Sequence, residues 1–377
     1  MVTRTKTDSW QATAVGGAVV IALCYGFARY AYGPFVPRFS ETFGLTPVGV
    51  GVLGGLSTAG YGLGLLLAPR TSARSARGTV LLAAGSATLG LGLMALAPHV
   101  TVFGAGIVVA GAGAGLVSPG VAQLIGETVA ERTRARAQTW ANTGTGLGLA
   151  ASAFTPLLAL GWPVIWSGFA ALGVLVTWIA WRTLPRPAGP ADEPDSGPVR
   201  GAVPLVVNSV LIGVTSAPYW TFSPSRLAEA GLSPVAATWC WATIGVAGLL
   251  GGAAGRAAER AGLRTVNLVT WTLSAAGLAL LALPHPGVPV ALLSGALFGV
   301  TYLALTGLCI LWAARVFPTR PARGITWSFA GLGVGQTVAS PLAGALASGL
   351  GSATVFGLTA LLALTAWSQL HPRLGPP

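Results

Sequence analysis

Long apolar stretches alternate with short polar and charged stretches along the whole chain of 377 residues. A helix needs about 20 predominantly apolar residues to cross the hydrocarbon core of a bilayer. Divided at its charges, prolines and polar turns, the sequence contains twelve such segments, with approximate limits 12–36, 47–69, 78–97, 100–124, 137–160, 163–182, 204–224, 235–255, 265–283, 288–313, 324–348 and 352–370. The pattern predicts an all-α polytopic membrane protein with twelve transmembrane helices.

The composition excludes most soluble classes of protein. Only 8% of the residues are charged and 53% are hydrophobic, whereas a soluble domain carries about 25% charged residues. Cys24, Cys240 and Cys309 all fall inside apolar segments, where a buried thiol is typical of a small packing residue. No Walker sequence, zinc-ligand spacing or Ser-His-Asp set is present. The sequence therefore predicts a protein that is not an enzyme and that needs no cofactor and no metal.

The basic residues orient the predicted helices, because cytoplasmic loops of membrane proteins retain lysine and arginine. With twelve spans, 18 of the 21 basic residues fall on one side of the membrane, and only Arg38 and Arg226 fall on the other. Arg29 is the one charge placed inside a span. Both termini are therefore predicted to be cytoplasmic. The formal charge of +12 is spread over small groups between apolar segments, so no nucleic-acid partner is predicted.

The chain contains an internal repeat with an offset of 187 residues. Two patterns recur in register: Phe35-x-Pro37 with Gly44-Leu45-Thr46-Pro47 returns as Phe222-x-Pro224 with Gly231-Leu232-Ser233-Pro234, and Thr139-Trp140 with Gly144, Gly146 and Gly148 returns as Thr326-Trp327 with Gly331, Gly333 and Gly335. Each half holds six spans. We expect an N-terminal six-helix bundle at 1–185, a proline-rich cytoplasmic linker at 186–203 and a C-terminal six-helix bundle at 204–377, an arrangement typical of secondary transporters.

Over essentially its whole length the chain resembles the major facilitator superfamily. The loop after the eighth span, Gly255-x3-Glu259-Arg260-x-Gly262-x-Arg264, resembles the G-x3-D-R-x-G-R loop motif of that family, with glutamate in place of aspartate. The resemblance implies a gating role for these five residues through a cytoplasmic charge network between helices. The equivalent first-half loop at 69–77 keeps its arginines but lacks both glycines and the acid, so the resemblance does not extend to the usual first-half gate.

The first span resembles the YbfB/YjiJ-type branch of the same superfamily. Its sequence is Gly26-x2-Arg29-Tyr30-Ala31-Tyr32-Gly33-Pro34-Phe35-Val36-Pro37. This resemblance implies a multi-pass transporter of the bacterial inner (cytoplasmic) membrane, and it does not indicate which solute is carried.

Arg29 is the strongest candidate for a functional charge. Placing an arginine at mid-helix costs about 2.5 to 3.5 kcal/mol on the insertion scale, so such residues tend to face a watery cavity or a partner. Two interpretations stay open: the side chain extends to the headgroups at the outer end of the span, or it faces a cavity. In a cavity, with no acid inside any span, an anionic solute is the natural counter-ion, because guanidinium binds a carboxylate bidentately.

Two polar helix faces are predicted to bind the solute. Tyr25, Arg29 and Tyr32 follow the spacing i, i+4 and i+7 in the first span, and Asn208, Thr215 and Tyr219 follow i, i+7 and i+11 in the seventh. Helices at these positions border the cavity in the superfamily that the chain resembles. Tyr302 and Gln336, from the tenth and eleventh spans, complete the predicted set. The alternative for each residue is packing or hydrogen bonding between helices.

Glu127 is the candidate proton carrier, at the cytoplasmic end of the fourth span and one turn after Gln123. It precedes Glu131 and three arginines, so an ion pair in the loop is the competing interpretation. The other acids lie in tails, loops or the linker, which weakens a proton-symport mechanism.

These patterns favour a secondary active or facilitative transporter that moves a small, anionic organic solute by rocker-switch alternating access. The predicted partners are the solute, membrane lipids and, if transport is coupled, a proton; the protein is expected to be a monomer. An efflux pump for a hydrophobic or drug-like compound and a transporter-like membrane sensor stay open as alternatives.

Overall fold

The computed structural model describes residues 10–186, 203–317 and 321–369, and within these ranges the chain is almost entirely helical. The helices are α1 Gln11–Phe43, α2 Pro47–Arg74, α3 Ala76–Ala95, α4 Val100–Thr128, α5 Glu131–Ala153, α6 Trp162–Thr183, α7 Val203–Glu229, α8 Pro234–Ala261, α9 Leu263–Ala282, α10 Val288–Val316, α11 Pro321–Leu350 and α12 Ser352–Leu364. Short helical turns lie at Thr155–Leu158 and Ala366–Gln369. Each of the twelve predicted segments corresponds to one helix, which confirms the all-α polytopic fold. The predicted linker, apart from its end residues, lies outside the described residues.

Ten of these helices are long and apolar enough to cross a membrane within the part of the chain that the structure describes. Helix α5 has 23 residues and does not meet this criterion: four of its first six residues are charged (Glu131, Arg132, Arg134 and Arg136), and the stretch that follows contains Gln138 and Asn142 among threonines and glycines. Helix α12 has only 13 residues. Length and hydropathy alone therefore recover ten of the twelve expected spans.

The first repeated motif forms the same turn in both halves. Gly44 and Gly231 adopt positive φ angles of 62° and 80° where α1 and α7 end, a backbone region in which glycine has no Cβ penalty. Two residues later the next helix is capped, because Gly49 N donates to Thr46 Oγ1 at 3.3 Å and Ala236 N donates to Ser233 Oγ at 3.2 Å. The 187-residue offset thus corresponds to a common helix–turn–helix geometry.

The second repeated motif packs two helices closely in each half. A Cβ on Gly148 of α5 would lie 2.6 Å from Ala22 O of α1, and a Cβ on Gly331 of α11 would lie 3.2 Å from Val206 O of α7. The glycines therefore allow the fifth and eleventh helices to approach the backbones of the first and seventh, as small residues do at membrane helix interfaces.

The contacts divide the chain into two compact units. One comprises Met1–Tyr32, Ala59–Thr155 and Ala159–Gly197, and the other Gly33–Thr58, Pro156–Leu158 and Pro198–Pro377, as far as these ranges are described. Residues 33–58 at the end of α1 and the start of α2 thus group with α7 to α12. The domain limits at 185 and 204 stay a prediction.

Within the second unit, the start of α2 packs against α11. Thr58 Oγ1 and Thr337 Oγ1 share a hydrogen bond of 3.0 Å. A Cβ on Gly55 would lie 2.9 Å from Thr337 O, so a larger residue there would push the helices apart. We call this contact between 47–58 and 337–344 the α2–α11 seam.

Candidate functional site

The buried guanidinium of Arg29 lies among tyrosine rings of the first unit. Its side chain is 7% exposed, and its Cζ is 4.3 Å from the ring centre of Tyr61, 5.4 Å from that of Tyr30 and 5.9 Å from that of Tyr25. Aromatic faces attract a cation within about 6 Å of the ring centre. We call Arg29, Tyr25, Tyr30 and Tyr61 the Arg29 cluster.

A π-helical stretch in α1, Ala22–Tyr30, determines which rings reach Arg29. Ala31 N donates to Gly26 O at 2.9 Å, a bond between residues i and i+5. Because Gly26 O also accepts from Ser152 Oγ at 3.2 Å, a side chain of α5 reaches the backbone of this wide turn. Such stretches are rare and are frequently found at functional sites.

The wide turn explains why Tyr30, which was not predicted from the sequence, lies in the Arg29 cluster. Residues five apart line up in a π-helix, so the rings of Tyr25 and Tyr30 have centres 6.1 Å apart, although the sequence prediction assumed α-helical spacing. Tyr32 is buried in the same unit, and its role in solute binding stays a prediction.

Side chains of α2 and α4 complete the Arg29 cluster. The hydroxyl of Tyr25 shares a hydrogen bond of 3.2 Å with Ser118 Oγ, and the rings of Tyr25 and Tyr61 meet edge to face at 6.3 Å. Sequence analysis missed Tyr61 and Ser118. A signal was available, because both are polar-tipped residues inside apolar spans.

Asn208, predicted to bind the solute, is the centre of a buried hydrogen-bond network in the second unit. Its Oδ1 accepts from Trp271 Nε1 at 3.0 Å and from Asn267 Nδ2 at 3.3 Å, and its Nδ2 donates to Cys309 Sγ at 3.4 Å. Asn208 is 5% exposed. In this conformation its amide holds α7 to α9 and α10, the interhelical role that the sequence left as the alternative.

Thr215 and Gln336 are also engaged within the second unit. Thr215 Oγ1 donates to Leu211 O of its own helix at 2.8 Å. Gln336 Nε2 donates to Ser216 Oγ at 3.0 Å, which joins α11 to α7. Both side chains are buried.

Tyr219 and Tyr302 belong to a cluster of aromatic rings on α7, α8, α10 and α12. Tyr219 stacks on Phe298 with ring centres 3.8 Å apart, and Tyr302 meets Trp220 edge to face at 5.3 Å. Tyr219 donates its hydroxyl proton to Ser294 Oγ at 2.9 Å, because Ser294 uses its own proton on Gly277 O. The structure therefore brings together the predicted residues of α7 and α10, and it adds aromatic neighbours that the sequence analysis did not select.

The predicted loop motif lies at the end of α8 and the start of α9. Gly262 has a φ of 84° and connects the two helices. Glu259, Arg260 and Arg264 are exposed, and Gly255 is half-buried. The gating role of these residues stays a prediction.

Glu127 is half-buried near the end of α4. Its Oε1 accepts a hydrogen bond from Gln123 Nε2 at 2.8 Å, so its described partner is the amide one turn earlier and not an arginine of the loop. A role in proton transfer stays a prediction.

Arg226 is a second buried arginine, near the end of α7. It lies in α7, is 4% exposed, and donates to Leu281 O at 3.0 Å, Leu283 O at 2.5 Å and Pro284 O at 3.0 Å. The helix continues beyond Pro224, so this arginine is buried against the end of α9, where a cation stabilises the last carbonyl groups. Its role in the described structure is that of a helix cap.

The sequence model of the Major Facilitator Superfamily matches residues 18–254, which is more than half of the chain. The chain belongs to the Major Facilitator Superfamily. Because this superfamily consists of membrane transporters, the chain is a multi-pass membrane transporter rather than an enzyme. No curated protein matches the sequence.

Solved structures of other superfamily members share the fold. The xylose transporter XylE from E. coli, in a partially occluded inward-open conformation, is 14% identical, with a TM-score of 0.76 and coverage of 98% of this chain and 100% of that one. A bacterial homologue of the human lysosomal transporter Spinster is 15% identical, with a TM-score of 0.72 and coverage of 97% and 95%. The human organic anion transporter MFSD10 is 15% identical, with a TM-score of 0.69 and coverage of 97% and 99%.

Proposed function

We propose that this chain is a secondary active or facilitative transporter that carries a small organic anion across the bacterial inner membrane by rocker-switch alternating access. The observation that carries the proposal is the burial of Arg29 within α1. At 7% exposure, the guanidinium is enclosed by protein, which supports a role inside the bundle over an extension to the lipid headgroups.

The tyrosine rings stabilise this charge without neutralising it. Aromatic rings attract a cation through their quadrupole and carry no net charge themselves. In a water-poor site this charge acts more strongly than in water. A carboxylate that binds the planar guanidinium with two parallel hydrogen bonds would supply the opposite charge.

The α2–α11 seam supports alternating access. Small residues such as Gly51 and Gly55 bring the backbones of the two helices close together, and the pair of Thr58 and Thr337 adds one hydrogen bond between side chains. A neutral hydrogen bond contributes only about 0.5 to 1.5 kcal/mol. A contact of this kind can break and form again during a transport cycle.

Further parts of the proposal follow from the sequence. We assign the chain to the YbfB/YjiJ-type branch, place its N- and C-termini in the cytoplasm, and propose that it acts as a monomer. The residues predicted from the sequence to bind the solute stay part of the proposal: Arg29, Tyr25, Tyr32, Asn208, Thr215, Tyr219, Tyr302 and Gln336. Glu127 is the candidate for any coupled proton.

Counterflow in proteoliposomes tests the proposal. Purified protein is reconstituted in vesicles loaded with one unlabelled candidate at high concentration, and uptake of the same labelled compound is measured for carboxylates, amino acids and neutral drug-like compounds. We expect exchange of an anionic compound by the natural protein and its loss in the Arg29→Ala variant. Exchange of a neutral compound that survives Arg29→Ala would contradict the proposal and support drug efflux.

A further inference from the structure

Helix α6 presents most of its surface outside the protein. In its most apolar stretch, only 33% of the residues are buried inside the protein, whereas the corresponding share is 44% to 61% in the other nine candidate spans. Large apolar side chains on this surface include Val174, which is 61% exposed, and Leu175, which is 50% exposed. In a membrane protein such a surface faces lipid acyl chains.

Two tryptophans and an arginine stand at the C-terminal end of this surface. Trp178 and Trp181 are 54% and 49% exposed. The guanidinium of Arg182 lies 5.5 Å from the ring centre of Trp178 and 5.1 Å from that of Trp181. Tryptophan is enriched where the bilayer meets water, so these rings place Arg182 at headgroup depth.

Two further arginines join this group. Arg77 of α3 donates from Nε to Leu184 O at 3.1 Å and from its terminal nitrogen to Trp181 O, so it is fixed at the end of α6. Arg186 follows Leu184, whose carbonyl accepts from Arg77, by two residues, so a further positive charge lies on the same segment. We call Arg77, Trp178, Trp181, Arg182 and Arg186 the Arg–Trp patch.

The Arg–Trp patch concentrates like charges, which favours an anion beside it. Among the described residues, Arg77 donates to backbone carbonyls and Arg182 lies over indole rings. Three guanidinium groups therefore stand next to an apolar surface of lipid-facing helix. A ligand that fits both features carries a phosphate and long acyl chains.

We propose that the Arg–Trp patch binds the phosphate of an anionic phospholipid in the leaflet on the arginine-rich side of the membrane. The planar guanidinium groups of Arg182 and Arg186 bind the phosphate oxygens bidentately. The indole rings lie beside the glycerol region, and the acyl chains lie along the exposed surface of α6. The lipid offsets the repulsion between the arginines and holds α3 and α6 together at this end.

The test is binding of phosphatidylglycerol to the full-length protein in detergent, measured by native mass spectrometry and by thermal unfolding. Phosphatidylcholine with the same acyl chains and inorganic phosphate serve as comparison ligands. The variant combines Arg182→Gln with Arg186→Gln and leaves the carbonyl contacts of Arg77 intact. Its matched control combines Arg256→Gln with Arg315→Gln, which removes two exposed arginines elsewhere on the same side.

We expect phosphatidylglycerol to raise the unfolding temperature of the natural protein and of the control, and phosphatidylcholine to do so much less. Each arginine near an anionic lipid contributes a factor of about 5 in affinity, so the double variant should bind phosphatidylglycerol about 25-fold more weakly. An equal loss of affinity for phosphatidylglycerol in the control variant would indicate a general effect of charge and would overturn the proposal. Inorganic phosphate that matches the effect of the lipid would overturn it too, because it would indicate a site for free anions.

If the double variant does not fold, the single variants Arg182→Gln and Arg186→Gln are measured separately. Each should lose about 5-fold in affinity for phosphatidylglycerol. Affinity for phosphatidylglycerol that is unchanged in both single variants would contradict the proposed site.

Discussion

Replacing Arg29 should greatly lower the affinity for the solute and change the stability of the fold only slightly. A hydrogen bond to a charged group contributes about 1.5 to 3 kcal/mol, so loss of a bidentate pair with a carboxylate removes about 3 to 6 kcal/mol. This corresponds to a loss of about 100-fold to 10,000-fold in affinity for the solute in the Arg29→Ala variant. Arg29→Lys keeps the positive charge but loses the planar guanidinium that makes two parallel hydrogen bonds. With one of the two hydrogen bonds lost, we expect the affinity for the solute to fall about 10-fold to 100-fold.

Stability should change much less than transport. The insertion cost of an arginine at mid-helix, about 2.5 to 3.5 kcal/mol, offsets about half of the gain from three buried cation–π contacts of about 2 kcal/mol each. The Arg29→Ala variant should therefore unfold within a few degrees of the natural protein. Arg315→Gln, an exposed change, is the control that should alter neither property.

The assay is counterflow with the anionic solute found in the compound screen, together with thermal unfolding in detergent with and without that solute. The solute should raise the unfolding temperature of the natural protein and have no effect on Arg29→Ala, because a ligand stabilises only the folded form that binds it. Full transport by Arg29→Ala, or full stabilisation of it by the solute, would refute the reasoning.

Three further predictions concern the second unit. Cysteines at Thr58 and Thr337 should form a disulfide, since the hydroxyl oxygens are 3.0 Å apart; oxidation should stop counterflow and a reductant should restore it, and transport that continues after complete cross-linking would exclude a moving α2–α11 seam. Asn208→Ala should lower the free energy of unfolding by about 2 to 4 kcal/mol, because the amide has three buried partners; thermal unfolding checks this against Asn142→Ala, an exposed change. Arg226→Gln should cost about 3 kcal/mol or more through the loss of three carbonyl contacts, and an unchanged melting temperature would show that the cap contributes little.

Much of the fold was predictable from the sequence because the bilayer restricts the possibilities. Apolar runs of the required length have to form helices, since lipid offers no partner for backbone groups. The repeat was equally informative: the glycines at 44 and 231 and the hydroxyl residues at 46 and 233 form the same turn and cap in both halves.

The surroundings of the candidate residues were less predictable. The face of Tyr25, Arg29 and Tyr32 assumed α-helical spacing, and the π-helical stretch brings Tyr30 beside Arg29 in addition to Tyr25. Tyr61 approaches from another helix, and single-sequence periodicity gives no distance between helices.

Polar residues of the second half show the same limit. The sequence predicted that Asn208 binds the solute, and in the structure its side chain is buried. Which partner takes the amide depends on the neighbouring helices. Asn267 and Trp271 do so from α9, and neither was singled out in advance.

The π-helical stretch Ala22–Tyr30 allows α1 to rotate about its own axis. Its hydrogen bonds and those of an ordinary helix differ by one residue in their acceptor, so exchange between them turns everything beyond Tyr30 about the helix axis and keeps each amide bonded. Arg29 lies inside this stretch, so the same exchange would also change the angle at which its guanidinium faces the ring of Tyr61.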